Sequence, residues 1–173
     1  MNIFDLWVVS YIQTIRTPWA TDFFTVVSNL FDFSLVSICL AILIAVLIYM
    51  IRGRAYAFSF SIAMVVGAVS AWVLKNLFDI PRPQFALMEV FGQSFPSYHA
   101  TIATIFFVML MYVFDNHLSG VTRVLFNIFC ILGICIVAFS RVYLGVHWVS
   151  DIAGGILLGL IISTISTNLF RQS

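Results

Sequence analysis

Residues 140–151, SRVYLGVHWVSD, lie between two long apolar runs and carry four groups able to act on a phosphoryl group. Arg141 can grip an anion, Ser140 can donate a hydrogen bond, and His147 can attack phosphorus or shuttle a proton. Asp151 stands four residues after His147, so on a helix the two side chains would share one face. Two further segments supply partners. KNLFDIPRP (75–83) brings Lys75 and Arg82, and PSYH (96–99) brings Ser97, Tyr98 and His99.

Ionisable groups near a bilayer are costly and mark function by default. Three cations, Lys75, Arg82 and Arg141, would repel one another unless an anion of two or more charges lay between them. Phosphate fits, since Arg offers it a planar fork and Lys a point charge. Pro96 and Ser97 are expected to open a helix, with Pro at its first position, leaving N–H groups near Tyr98 and His99 free to hold phosphate oxygens. His147, oriented by Asp151, is the better nucleophile candidate, because a carboxylate fixes the tautomer and stabilises the imidazolium. His99 is then the general acid that protonates the departing oxygen and later the base that activates water. The two histidines and Asp151 could in principle hold a metal, but the surrounding cations oppose it.

The elements that position these groups are read from the rest of the chain. Its 173 residues are 62% hydrophobic and only 9% charged, with a mean hydropathy of +1.11. A soluble domain carries roughly 25% charged residues, so the chain reads as a single all-α membrane domain over residues 1–173. A net charge of +1 gives no reason to expect nucleic acid as a partner. The first fifteen residues hold Asp5 and no Lys or Arg, so a cleaved signal peptide is not expected. Cys39, Cys130 and Cys135 fall inside apolar runs and read as packing residues.

Residues 2–16 place Phe4, Trp7, Val8, Tyr11, Ile12 and Ile15 at helical spacing, with Asn2, Asp5, Gln13 and Arg16 largely opposite. That pattern predicts an interfacial amphipathic helix over 1–18, ended at Thr17-Pro18, with the helical bundle occupying 19–173. About five spans are expected in the bundle. They cover Phe33–Ile51 (with room for a backward extension from Thr21), Ala55–Leu74, Pro96–Phe114, Val124–Phe139 and His147–Phe170. Gly154, Gly155 and Gly159 form a small-residue stripe suited to close helix packing. His117 reads as a solvated loop residue, and Tyr143 and Trp148 as interfacial aromatics.

Five spans put Arg52, Arg54, Arg123 and Arg171 on one side, and Arg16, Lys75, Arg82 and Arg141 on the other. Setting aside the three site cations, the positive-inside rule makes the Arg52/Arg54 turn cytoplasmic, so the site faces outward.

The three segments resemble the signature motifs of the type 2 phosphatidic acid phosphatase superfamily, K-x6-RP, PSGH and SR-x5-H-x3-D, in order and spacing. The resemblance covers roughly residues 20–170. It implies that Lys75, Arg82, Ser97 and Arg141 bind phosphate. It also implies that His99 is the acid/base, that His147 is the phosphohistidine nucleophile oriented by Asp151, and that no metal or other cofactor is used. Tyr98 departs from the usual Gly, at a position where only the backbone N–H is normally needed.

The expected activity is hydrolysis of a terminal phosphate from a phosphorylated membrane lipid in a bacterial inner membrane, with the site on the periplasmic face. Substrate candidates are undecaprenyl diphosphate, phosphatidylglycerophosphate or phosphatidate, and a lipid A phosphate. A phosphotransferase using the same phosphohistidine, and a non-catalytic lipid or anion transporter, are the competing readings.

Overall fold

A computed structural model describes residues 3–32 and 34–170. Asn2, Phe33 and Arg171, which entered the expectations above, lie outside the described residues. Seven helices follow one another: α1 (Ile3–Thr14), α2 (Pro18–Asn29), α3 (Leu35–Arg52), α4 (Arg54–Phe78), α5 (Tyr98–Phe114), α6 (Gly120–Tyr143) and α7 (Val149–Phe170). The fold is all-helical across the described residues. Four helices, α3, α4, α6 and α7, are long and apolar enough to cross a bilayer. The expected fifth span, α5, is apolar but only 17 residues long.

Helix α1 is amphipathic, but its faces are not those expected. Asp5, Val9 and Ile12 are buried against the protein, while Phe4, Trp7, Tyr11 and Ile15 face outward. In lipid an apolar residue loses nothing by facing out, so the side with polar partners turns inward. Trp7 and Tyr11 stack on the outer face with ring centroids 5.9 Å apart, as interfacial aromatics do. Thr17 caps α2 by accepting from Ala20 N–H at 3.3 Å, and Pro18 occupies a first-turn position that needs no N–H. The backward extension of the first span does not occur: α2 ends at Asn29, and Ser34 starts α3 afresh by capping the N–H of Ser37 at 3.2 Å.

The α3–α4 turn closes on Gly53, whose φ of +87° suits a residue without Cβ. Helix α4 runs past the expected Leu74, which puts Lys75 in its last turn. Helix α5 starts at Tyr98, capped by Ser97, so Pro96 precedes the cap instead of opening the helix. Helix α6 extends to Tyr143 and includes Ser140 and Arg141. Helix α7 begins at Val149, which leaves His147 just outside it.

Helix α5 is the hub, packed against α4, α6 and α7. Small residues permit the approach. A Cβ on Gly159 would lie 2.6 Å from Thr104 Cβ and 2.9 Å from the Thr101 carbonyl oxygen; one on Gly155 would lie 2.6 Å from the Ser97 carbonyl oxygen. Inside the apolar bundle Ser59 of α4 and Ser166 of α7 share a hydroxyl contact of 3.0 Å. Arg52 Nη1 meets Nδ1 of the exposed His117 at 2.9 Å, tying the α3–α4 turn to the loop after α5. The three motifs gather at the opposite end of the bundle.

Gly159→Val inserts three carbons where none fit, and overpacking of this kind costs about 1–3 kcal/mol. The expected outcome is a clear drop in the thermal midpoint of the purified protein in detergent. Leu160→Ala, on the lipid-facing side of α7, should shift that midpoint much less in the same measurement.

Candidate active site

Asp151 sits in the first turn of α7, fully buried. Its Oδ2 accepts from the N–H of Trp148 at 2.8 Å, from His147 Nδ1 at 3.2 Å and from the hydroxyl of Ser94. The expected His147–Asp151 contact is therefore present, although the two residues do not share a helix face. His147 lies before the helix, and the backbone N–H of Trp148 helps bring the carboxylate back to it.

The roles of the two imidazole nitrogens follow from their neighbours. A carboxylate accepts, so Nδ1 carries the proton. On the other side Arg82 Nη1, which can only donate, stands 3.3 Å from Nε2. Nε2 thus presents a lone pair beside a guanidinium. His147 is buried outside the spanning helices, and burial pushes its pKa well below the usual histidine value. The positive charges of Arg82, Arg141 and Lys75 push it the same way. At neutral pH it is an uncharged base whose Nε2 lone pair accepts from the Arg82 guanidinium.

The cations are fixed by the protein's own carbonyls. Lys75 Nζ donates to the carbonyls of Gln93 at 2.8 Å and Ser94 at 3.0 Å. Arg82 donates through Nε to Gly92 at 2.9 Å and through Nη1 to Val146 at 2.8 Å. These bonds fold the 79–97 loop over the start of α7. Arg141 is buried in the last turn of α6, bonded through Nη1 to the Ser28 hydroxyl of α2. Its Nε is buried with no hydrogen-bond partner among the described residues. An anion is the group such a donor suits.

Ser97 is buried. Its hydroxyl caps α5 at Ala100 N–H (3.4 Å), and its own N–H is taken by the Asp151 carbonyl at 3.1 Å. The N–H groups of Tyr98 and His99, in the first turn of α5, have no carbonyl behind them in the helix. The His99 ring is buried, with Nε2 3.8 Å from Asp32 Oδ1. The Tyr98 ring stands edge-on to that of His99, centroids 5.8 Å apart. Ser140 differs from the others: its hydroxyl donates to the Val137 carbonyl at 2.6 Å, inside its own helix.

Sequence reading missed several members of this cluster. Ser94 meets both His147 and Asp151; its proximity to PSYH was the one available signal. Asp32, beside His99, and Ser28, beside Arg141, are brought in by the α2–α3 corner and had none. Tyr143 and Trp148 are buried, not interfacial. Trp148 Nε1 donates to the Pro81 carbonyl at 2.8 Å, and the Tyr143 hydroxyl accepts from Thr17 N–H at 2.9 Å. Among the described residues, no three His, Cys, Asp or Glu side chains gather as metal ligands.

An apolar groove of about 540 Å³ runs between α3, α4 and α5. Ala41, Ala45 and Met64 line its length, and Asp32 and Tyr98 stand at its end nearest His99.

The motif residues thus gather around one buried imidazole at one end of a membrane helix bundle. A family model for the PAP2 superfamily matches residues 54–173, and the chain belongs to that family. Phosphatidylglycerophosphatase B of Bacillus subtilis (strain 168) is 38% identical over 93 residues, covering 52% of this chain and 46% of the relative. The putative undecaprenyl-diphosphatase YbjG of Escherichia coli (strain K12) is 34% identical over 115 residues, 62% of this chain and 54% of the relative. An undecaprenyl-diphosphatase of Sulfolobus acidocaldarius is 34% identical over 120 residues, 68% of this chain and 54% of the relative. The chain thus spans about half the length of the curated relatives it matches. Among solved structures, a transmembrane PAP2 type phosphatidylglycerolphosphate phosphatase from Bacillus subtilis superposes with a TM-score of 0.87 at 26% identity, over 97% of this chain and 85% of that one. Aquifex aeolicus LpxE shares the fold, with a TM-score of 0.79 at 23% identity, over 97% of this chain and 99% of that one.

The state of His147 sets a pH dependence for any reaction that uses Nε2. With its pKa depressed by burial and cations, His147 keeps its lone pair until pH falls through that lowered value, and the rate is lost only there. The acidic limb of kcat/KM for phosphate release should therefore lie below about pH 6.5, the unperturbed histidine value. A limb at or above it would contradict the assigned state.

Proposed function

We propose that the chain is a membrane lipid phosphatase that removes the terminal phosphate of a lipid phosphate or diphosphate through phosphorylated His147. The observation that carries the reading is the uncharged, Asp151-held imidazole whose Nε2 is turned toward Arg82, within reach of the fields of Lys75 and Arg141.

Nε2 attacks phosphorus, a P–N bond forms, and the P–O bond to the lipid breaks. The departing oxygen takes a proton from His99. A water then attacks the phosphorylated imidazole and gives its proton to His99. The P–N bond breaks, inorganic phosphate leaves, and both histidines return to their starting states. Lys75, Arg82, Arg141 and the N–H groups at the start of α5 hold the oxygens on which negative charge gathers. Ser97 sets that helix start. Ser94 and Asp151 hold the nucleophile's tautomer.

The lipid class draws support from the groove. A phosphate held beside His99 leaves its hydrocarbon to follow the apolar surface that starts at Asp32 and Tyr98. The names of the relatives, phosphatidylglycerophosphatase and undecaprenyl-diphosphatase, fit the same class. With the three site cations set aside, the charge tally supports a site on the outer face of a cytoplasmic membrane. Three cations already stabilise the transferred group, so the reaction needs no metal, and chelators leave its rate unchanged.

Purified protein incubated with a panel of phosphorylated lipids and no acceptor should release inorganic phosphate. His147→Ala should lose at least about a thousandfold in kcat while remaining folded. Turnover that appears only with an acceptor lipid would mean phosphotransfer, and an unaffected His147→Ala would end the phosphohistidine reading. Ala45→Phe, which fills the groove far from the imidazole, should lower kcat/KM for a long-chain lipid phosphate about tenfold. A short-chain, water-soluble phosphate monoester should be turned over as before; equal effects on both would place the tail elsewhere.

A further inference from the structure

Asp5 is only 2% exposed, on a helix whose opposite face carries Phe4, Trp7 and Tyr11. Burying a carboxylate is costly unless donors meet it. Asp5 meets two on one residue: Oδ1 accepts the Ser150 N–H at 3.0 Å and Oδ2 the Ser150 hydroxyl at 2.7 Å. Ser150 is the second residue of α7, where the helix leaves its N–H groups without internal partners. A carboxylate there satisfies one of them and complements the positive end of the helix dipole. The cap comes from another element, 145 residues away in sequence.

Ser150 is also the residue between Val149 and Asp151 in the H-W-V-S-D run, so the cap acts within the loop that carries the nucleophile. The same segment holds the other end of that loop. Arg16 Nε donates to the Tyr143 carbonyl at 3.0 Å, and its Nη1 to the Phe85 carbonyl at 3.2 Å. Gly145 lies directly behind: a Cβ there would stand 2.5 Å from Arg16 Nη2 and 2.7 Å from the Phe85 carbonyl oxygen. Val9 and Ile12 fill the space between, in one apolar cluster with Val142, Tyr143, Trp148 and Ile152. Residues 5–17 therefore bracket the His147 loop, at Tyr143 on one side and Ser150 on the other.

We infer that Asp5 is a positioning residue for phosphoryl transfer: by capping α7 at Ser150 it sets the direction in which His147 and Asp151 face the phosphate. The inference rests on the phosphatase reading above. The contacts of Asp5 among the described residues go to Ser150 and not to the imidazole or the cations, so it governs how often the nucleophile is aligned and not how tightly the oxyanion is held.

The test uses the full chain in lipid nanodiscs, with phosphate release from a lipid phosphate as the rate and vanadate inhibition as the measure of anion binding. Asp5→Ala should lower kcat about tenfold, with KM and the vanadate inhibition constant within about twofold of the parent. Asp5→Asn keeps an oxygen for the Ser150 N–H and should recover most of the loss. Val9→Ala loosens α1 without touching the cap and should stay within about twofold of the parent kcat. Should Asp5→Ala fail to fold, Ser150→Ala carries the test: a kcat about threefold lower at constant KM supports the cap, and an unchanged kcat overturns it. An unaltered kcat in Asp5→Ala, an equal fall in Val9→Ala, or a change confined to KM would each overturn the inference. Its failure is distinct from failure of the phosphatase reading. Phosphate release that depends on His147 but not on Asp5 sinks this inference alone, whereas release indifferent to His147→Ala sinks the earlier reading.

Discussion

Oδ2 of Asp151 receives the Ser94 hydroxyl, His147 Nδ1 and the Trp148 N–H, and through these three donors it joins three parts of the chain. Ser94 belongs to the long loop before α5, His147 to the loop after α6, and Trp148 to the entrance of α7. In a low-dielectric interior an ionised oxygen is stable only if donors surround it, and donors are fixed in place by the need to reach it. One acceptor therefore imposes a mutual geometry on segments that share no secondary structure. The Ser97 N–H to Asp151 carbonyl bond at 3.1 Å adds the start of α5 to the same node.

Such a node demands close helix packing. Helices α5 and α7 come together through Gly155 and Gly159, where any side chain would meet the Ser97 carbonyl or Thr104. Close approach brings the positive ends of both helices to one place, since both begin at the site. The first turns of α5 and α7 thus lie at the same end of the bundle, where the positive ends of both helix dipoles stand with Lys75, Arg82 and Arg141.

Much of the site was legible because its spacing is linear: K-x6-RP, a Ser-His pair and SR-x5-H-x3-D can be read without knowing how the chain bends. The membrane class followed from composition, and the packing role of the 154/155/159 glycines from their shared stripe. What escaped was set by contacts distant in sequence. Asp5 looked like part of the polar, outward face of α1 because amphipathicity was read as it would be at a water boundary. Lipid removes that preference, and Asp5 turned to the donors of Ser150. Helix ends moved for a related reason. Ser97 and Ser34 cap helices whose starts hydrophobicity placed earlier, and Ser140 and Arg141 are helical because α6 continues past its apolar stretch. Ser94 was passed over because a serine two residues before Pro96 reads equally well as part of a turn.

How the cations are held decides whether their charge survives folding. Three positive groups, Arg141 buried and Lys75 and Arg82 half-buried, could have been neutralised by carboxylates, which would lower their desolvation cost and also compete with any anion. Instead Lys75 rests on the carbonyls of Gln93 and Ser94, Arg82 on those of Gly92 and Val146, and Arg141 on the hydroxyl of Ser28. None of the three is held by a carboxylate at ion-pair distance among the described residues. Neutral acceptors fix position without cancelling charge, so the potential that draws an anion survives folding. The carboxylate nearest His147, Asp151, turns Oδ2 toward Ser94, Trp148 and His147, so its hydrogen bonds go to the imidazole and its neighbours, while Lys75 and Arg82 feel its charge only at a distance. That division, with neutral carbonyls and a hydroxyl for the cations and the carboxylate for the imidazole, keeps uncancelled positive charge and an uncharged nitrogen side by side at one end of the bundle.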